Sequence, residues 1–156
     1  MTLLRAVLAP LGGLLLLSAF FLPWGTVSVM TPDARVFTAY DLAQHDTAWN
    51  LVAVCAVLMI TVGSVGLVVS LTGKTRSLIY AGAGTLLFSM VSGVFIARML
   101  LRVYGKHGVR LGWIEGATAA DLQLSLQVGV ALALLGVVLG VIGGAWTVHT
   151  AKKQLA

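Results

Sequence analysis

The chain has 156 residues, of which 59% are hydrophobic and only 10% are charged, and its mean hydropathy is +1.01. A water-soluble domain needs about 25% charged residues to cover its surface, so this composition excludes a soluble globular protein. The formal net charge is +5, but the basic residues flank apolar runs, which favours contact with a membrane surface over a nucleic-acid partner.

Four stretches of the sequence contain no Asp, Glu, Lys or Arg: residues 6–32, 47–73, 77–97 and 122–151. Each is longer than the roughly 20 residues that an α-helix needs to cross a hydrocarbon core. The sequence therefore predicts an all-α membrane protein, a single domain built as a bundle of four transmembrane helices. The predicted helices cover residues 4–22, 49–72, 77–100 and 120–148, and a tail covers 149–156.

One short turn and two longer loops connect these helices, at residues 73–76, 23–48 and 101–119. In the first long loop, β-branched segments at 26–30 and 35–40 flank a Pro-Asp turn, which predicts a β-hairpin. A second short extended arm is expected near 109–114. Both long loops lie on the side of the membrane opposite the termini, because four spans return the chain to its starting side.

The two long loops share a short motif. Thr38-Ala-Tyr-Asp41-Leu in the first resembles Thr118-Ala-Ala-Asp121-Leu in the second, which indicates two parallel helix–loop–helix repeats. A threonine at an N-cap and an acidic residue three positions later satisfy free N–H groups at a helix start. We therefore expect Thr38, Asp41, Thr118 and Asp121 to cap helices, with ligand binding by the two aspartates as the alternative.

The orientation follows from the basic residues, although five of them fall on each side of the membrane. Those on the termini side lie in very short segments beside the spans, where the positive-inside rule applies most strongly. We therefore expect a multi-pass plasma-membrane protein with both termini in the cytoplasm. Aromatic belts are expected from Trp24, Trp49, Tyr104 and Trp113 on the outer side and from Tyr80 and Trp146 on the inner side.

Basic residues recur at every fourth position after the third span: Arg98, Arg102, Lys106 and Arg110. On an unbroken helix they would form one face able to contact lipid phosphate head groups. Gly105 and Gly108 favour the alternative, in which snorkelling arginines are followed by a solvated turn.

Residues able to perform chemistry are absent from the central parts of the predicted spans. His45, His107 and His149 lie at span ends or in loops, and the single cysteine, Cys55, can form neither an intrachain disulfide nor a CxxC pair. Proton-coupled transport and haem ligation usually need an ionisable residue or a histidine inside the bundle. We therefore expect no enzyme activity, no catalytic residues, no metal and no cofactor.

Small residues recur on single faces of the last two predicted helices: Gly129, Gly136, Gly140 and Gly144 in the fourth, and Ser89 and Gly93 in the third. Such faces let a second helix approach closely in a bilayer. The partner is either another helix of the bundle or another subunit.

The Phe-Leu-Pro-Trp exit at 21–24, the Asp-Leu pair before the second span and the glycine-rich segment 134–144 resemble small bacterial four-helix membrane proteins of uncharacterised role. Two outer loops, the first with β-structure, are also similar to the claudin topology. The chain lacks the Gly-Leu-Trp and paired-cysteine signature of claudins, so this resemblance implies topology alone.

These features together favour a non-catalytic accessory or scaffold subunit of a larger membrane complex, packing through small-residue helix faces and ordered outer loops. The expected partners are the lipid bilayer and other membrane subunits, with no nucleic acid. A small homo-oligomeric channel or carrier is the alternative, because a parallel repeat also occurs in transporters.

Overall fold

A computed structural model describes residues 2–27, 35–45, 47–72, 75–104 and 127–155. Its elements, in chain order, are α1 (Thr2–Phe21), β1 (Pro23–Val27), β2 (Arg35–Thr38), α2 (Ala39–His45), a 3-10 turn (Thr47–Trp49), α3 (Asn50–Thr72), α4 (Thr75–Tyr104) and α5 (Val128–Leu155).

The four long helices of the described chain form an antiparallel bundle. Helix α1 packs against α3 and α5, and α4 packs against the same two helices from the other side. Neighbouring helices run in opposite directions, since Gly63 contacts Pro10 while Gly13 contacts Ala56. The start of α1, the end of α3, the start of α4 and the end of α5 therefore lie at one end of the bundle, here called the termini end. The strands lie at the other, here called the sheet end.

Three of the described helices are long and apolar enough to cross a membrane: Asn50–Thr72, Thr75–Arg98 and Val128–Gln154. Hydrocarbon contains no water to bond the backbone, so an α-helix, which satisfies its own N–H and C=O groups, is suited to this environment. These helices support a multi-pass membrane protein. The apolar part of α1, Val7–Phe21, is shorter and does not reach that length.

The helix ends differ from those expected from hydropathy. Helix α4 continues to Tyr104 rather than ending at 100, and α5 continues to Leu155 rather than 148. Loss of apolar character marks where a span leaves the hydrocarbon, whereas a helix continues into water as long as its residues favour it. Helix α5 is described from Val128 onwards.

Residues 105–126 lie outside the described part of the chain, and with them the extended arm expected near 109–114. The parallel repeat therefore stays a prediction.

The first long loop contains the expected antiparallel strand pair. Val27 pairs with Arg35 and Thr26 with Val36, and a bulge separates Pro23 from Gly25. The first strand begins earlier than expected because Pro23 lacks an N–H and disfavours helical geometry in the residue before it. The second ends at Thr38, where α2 begins, so Tyr40 is helical rather than extended.

Two tryptophans at the sheet end lie in the core rather than in the expected aromatic belt. Trp24 is 1% exposed and Trp49 is 5% exposed, and their rings meet edge to face at 5.4 Å. Trp49 also meets Phe95 of α4 edge to face. The Trp24 indole N–H donates to the Ala19 carbonyl oxygen at 2.6 Å, which satisfies its only polar group inside the core. Tyr80, by contrast, is exposed as a belt residue should be.

Candidate functional site

The contact between α1 and α5 is made by main chain against main chain. A β-carbon added to Gly136 would lie 2.7 Å from the carbonyl oxygen of Gly12 and 2.9 Å from the Leu16 nitrogen. A β-carbon added to Gly12 would lie 2.6 Å from the Gly136 oxygen. Neither position can accept a side chain unless the two helices separate, so this interface depends on glycine on both sides.

Helix α5 makes a second contact of the same kind with α4, about two turns closer to the termini end. A β-carbon on Gly144 would lie 2.9 Å from the Gly82 oxygen, and one on Gly82 would lie 2.9 Å from the Gly144 oxygen. The two reciprocal pairs place α5 between α1 and α4 with backbones close to each.

Gly140 faces the centre of the bundle, between these two contacts. A β-carbon there would collide with the Ser89 hydroxyl and the Met59 methyl group. Ser89 is fully buried; its hydroxyl donates to the Thr85 carbonyl oxygen at 2.7 Å and lies 3.6 Å from the Met59 sulfur. Gly93, one turn along α4 from Ser89, faces Val137 at a β-carbon distance of 3.0 Å.

Gly129 joins the first turn of α5 to the sheet. A β-carbon there would lie 2.6 Å from both the Pro23 oxygen and the Trp24 ring. The Gln127 N–H donates to the Trp24 carbonyl oxygen at 3.3 Å beside it. Trp24 is thus held between the end of α1 and the start of α5.

All six residues expected at a packing or partner interface therefore face other parts of the same chain. The sequence left open whether the α5 glycines contact the bundle or another subunit, and in this fold the bundle occupies them. Gly12, Gly13 and Gly82 were missed as packing residues, although each is a small residue within an apolar run. Gly13 packs against Ala56 and Ile60 of α3, and this contact extends the same arrangement to the α1–α3 interface.

Three hydroxyl side chains are buried along the inner face of α4: Thr85, Ser89 and Ser92. Thr85 donates to the Ala81 carbonyl oxygen at 3.0 Å, as Ser89 does to Thr85. Ser92 departs from this pattern, because its hydroxyl has no hydrogen bond of ordinary geometry to a described residue. The Cys55 thiol lies beside it. The inner surface thus presents neutral donors and acceptors, and the described residues contain no group of three potential metal ligands among His, Cys, Asp and Glu.

The expected basic face begins on α4 but is described only in part. Arg98 is exposed near the sheet end of that helix, and Arg102 follows one turn later within the same helix. Lys106 and Arg110 lie outside the described residues. Head-group contact by these four residues stays a prediction.

Thr38 and Asp41 form reciprocal hydrogen bonds at the start of α2. The Thr38 N–H and hydroxyl each donate to Asp41 Oδ2 at 2.8 Å, and the Asp41 N–H donates to Thr38 Oγ1 at 3.1 Å. This is the geometry of a capping box, which satisfies donors that a helix start leaves free. Thr118 and Asp121 lie outside the described residues.

No protein-family model matches this chain, and no curated protein and no solved structure matches it either.

Substitution at Asp41 tests the capping role. We expect Asp41→Ala to cost roughly 1 kcal/mol of stability, because both Thr38 donors lose their acceptor, and Asp41→Asn to cost less, because an acceptor remains. Thermal unfolding of the purified variants in detergent measures the difference. A loss of biological activity in Asp41→Asn with unchanged unfolding would instead assign the carboxylate to a ligand.

Substitutions in α5 test the main-chain contacts. Gly136→Ala is expected to destabilise the bundle by about 1–3 kcal/mol, because its β-carbon meets backbone atoms that cannot rotate away. Gly140→Ala is expected to cost less, because the Ser89 and Met59 side-chain ends can shift, whereas Gly140→Leu is expected to be disruptive. Ala145→Leu, on the exposed face of the same helix, is the control, and melting temperature in one detergent is the measurement. Equal melting temperatures for Gly136→Ala and Ala145→Leu would refute the assignment.

Proposed function

We propose that this protein is a non-catalytic accessory or scaffold subunit of a larger membrane protein complex. The observation that carries the proposal is the glycine-mediated, backbone-close packing of α5 against both α1 and α4. Helices in a bilayer gain stability from such close approach and little from the hydrophobic effect, because lipid tails are as apolar as leucine. The contacts favour a rigid four-helix body suited to holding its outer faces and loops in fixed positions.

The contents of the bundle interior also support a structural role. Leu16, Met59 and Ile96 are fully buried between the described helices, so the bundle interior is apolar at these positions, unlike the lining of a water-filled pore. A channel formed by one copy is therefore disfavoured relative to the accessory role. Partners then contact surfaces other than the α5 glycines, which the bundle itself occupies.

The finer membrane arrangement is part of the proposal. Helix α1 also crosses the membrane, which brings the number of spans among the described helices to four. It packs lengthwise against α3 and α5, both of which are long and apolar enough to cross. The termini end faces the cytoplasm, which agrees with the positive-inside rule, since Arg76, Lys152 and Lys153 are exposed there. Tyr80 lies exposed one turn inside this basic end, a suitable position for an interfacial aromatic residue.

Isolation of the native assembly tests the accessory role. Tagged protein expressed at its natural level and purified in mild detergent is expected to bring down at least one other membrane chain in fixed stoichiometry, as measured by native mass spectrometry. An unrelated tagged multi-pass protein from the same membranes is the background control. Purification without any other chain, combined with ion flux in reconstituted vesicles, would overturn the accessory role in favour of a channel.

Thiol labelling tests the orientation. With Cys55 replaced by alanine, Val36→Cys in the second strand and Lys153→Cys near the end of α5 place single thiols at exposed sites of opposite ends. An impermeant maleimide is expected to label position 36 on intact cells and position 153 only after permeabilisation. The reverse pattern would put the termini outside.

A further inference from the structure

Two basic side chains at the termini end lie at the same level on neighbouring helices. Gly82 of α4 faces the turn of α5 between Gly144 and Val148, since a β-carbon on it would lie 2.9 Å from the Gly144 oxygen and 3.0 Å from the Val148 nitrogen. The two helices are antiparallel, so the six positions from Gly82 back to Arg76 match the six from the middle of that turn to Lys152. Both side chains are exposed, and they are here called the basic pair.

The basic pair has no carboxylate side chain of this protein near it. Asp41 is the only Asp or Glu within the described part of the chain, and it lies at the sheet end. The stretches of sequence that contain the pair, 47–114 and 122–156, have no Asp or Glu at all. Two cations at a membrane boundary without an acidic residue to neutralise them are suited to an anion from outside the chain.

Small side chains line the surface next to the basic pair, on the side of the bundle centre. Ala83 follows Gly82 on α4 and Ala145 follows Gly144 on α5, and both alanines are exposed beside the close contact of the two backbones. Each alanine is seven positions from the basic residue of its own helix, which is close to two full turns, so the two share a helix face. The alanine pair, here called the alanine notch, thus leads from the basic pair toward the bundle centre.

The basic pair and the alanine notch lie at the depths of the phosphate and the acyl chains of a phospholipid. Arg76 is the second residue of α4 and Lys152 the fourth from the end of α5, so both lie at a span boundary. Seven helical residues rise about 10 Å, more than the roughly 5–8 Å that head groups occupy in each leaflet. The alanines therefore lie among the acyl chains. Tyr80 and Trp146 are exposed on the flanks of the notch, and both residue types are typical of this zone.

We propose that the basic pair and the alanine notch bind one anionic phospholipid in the leaflet at the termini end. The phosphate lies between Arg76 and Lys152, where the guanidinium donates two parallel N–H groups and the ammonium adds a compact charge. One acyl chain lies in the notch, so the site accepts a lipid rather than a soluble phosphate. The positive-inside rule explains basic residues at this end, but not the placement of two of them along one groove. The inference goes beyond the accessory role and does not depend on it.

Lipid titration of the purified protein tests the basic pair. Native mass spectrometry compares dioleoylphosphatidylglycerol, which is anionic, with dioleoylphosphatidylcholine, which has the same chains and no net charge. We expect one phosphatidylglycerol to bind in preference, and Arg76→Gln and Lys152→Gln each to weaken its binding about fivefold, the effect of one basic residue near an anionic lipid surface. Lys153→Gln is the matched control and should leave the affinity nearly unchanged, because it removes the same charge from the next position, about 100° round the helix.

Substitution of the alanines tests whether the ligand is a lipid. Ala83→Leu combined with Ala145→Leu fills the notch and leaves the basic pair in place. We expect this variant to bind phosphatidylglycerol more weakly and to keep the melting temperature of the unmodified protein in lipid-free detergent, because both positions are exposed. Glycerol 3-phosphate, which carries the phosphate without acyl chains, is expected not to displace the bound lipid.

Three results would contradict the lipid site. Equal binding of the two lipids would remove the selectivity for negative charge. Equal losses of affinity in Lys152→Gln and Lys153→Gln would indicate diffuse attraction to the whole basic end. Displacement by glycerol 3-phosphate, with unchanged binding in the double leucine variant, would assign the basic pair to a soluble phosphate. The accessory role is tested separately, by co-purification, and stands or falls independently of these results.

Discussion

The fold depends on the direct contact of glycine backbones between α5 and its two neighbours. A bilayer removes most of the hydrophobic drive for helices to associate, so stability has to come from close contact and hydrogen bonding. Gly12 with Gly136, and Gly82 with Gly144, bring main-chain atoms together where a single methyl group would keep them apart. The Gly12–Gly136 contact joins α1 of the first hairpin to α5 of the second, whereas the Gly82–Gly144 contact holds the two helices of the second hairpin together.

Hydropathy predicted the helices well because a charge within a span is costly, and four charge-free runs leave few alternatives. It predicted their ends poorly, as at Tyr104 and Leu155, because helical geometry continues beyond the hydrocarbon. The small residues of α5 were recognised from their spacing. Which helix covers them was not predictable, because the absence of a side chain permits close approach without specifying the neighbour. Gly12 and Gly82 were missed because the sequence of one helix does not show which of its glycines contacts a neighbouring helix.

The sheet end shows a second limit of inference from sequence. Trp24 and Trp49 occur where interfacial tryptophans are expected, and depth along the chain does not reveal the direction in which a ring points. The strand pairing turns Trp24 inward against Ala19 and Trp49, and Gly129 leaves room for its indole at the start of α5. The Thr38–Asp41 box was recognisable because capping needs only residues three positions apart. Local hydrogen bonding was thus predictable, and the direction of side chains was not.

The inside and the outside of this bundle are subject to the same constraint, because a hydroxyl group away from water needs a hydrogen-bond partner. Inside, glycines and buried hydroxyls on α4 occupy positions where one helix lies close to another, and the hydroxyls of Thr85 and Ser89 bond to their own backbone. Outside, the faces of α1, α4 and α5 carry leucine, methionine and isoleucine at mid-depth, side chains that gain nothing from leaving lipid. On α3, Thr61 is exposed near the middle of the helix, and its hydroxyl donates to the Val57 carbonyl oxygen at 2.9 Å. The hydroxyls of Thr61, Thr85 and Ser89 thus all bond to the backbone of their own helix, which lowers the cost of placing them in hydrocarbon.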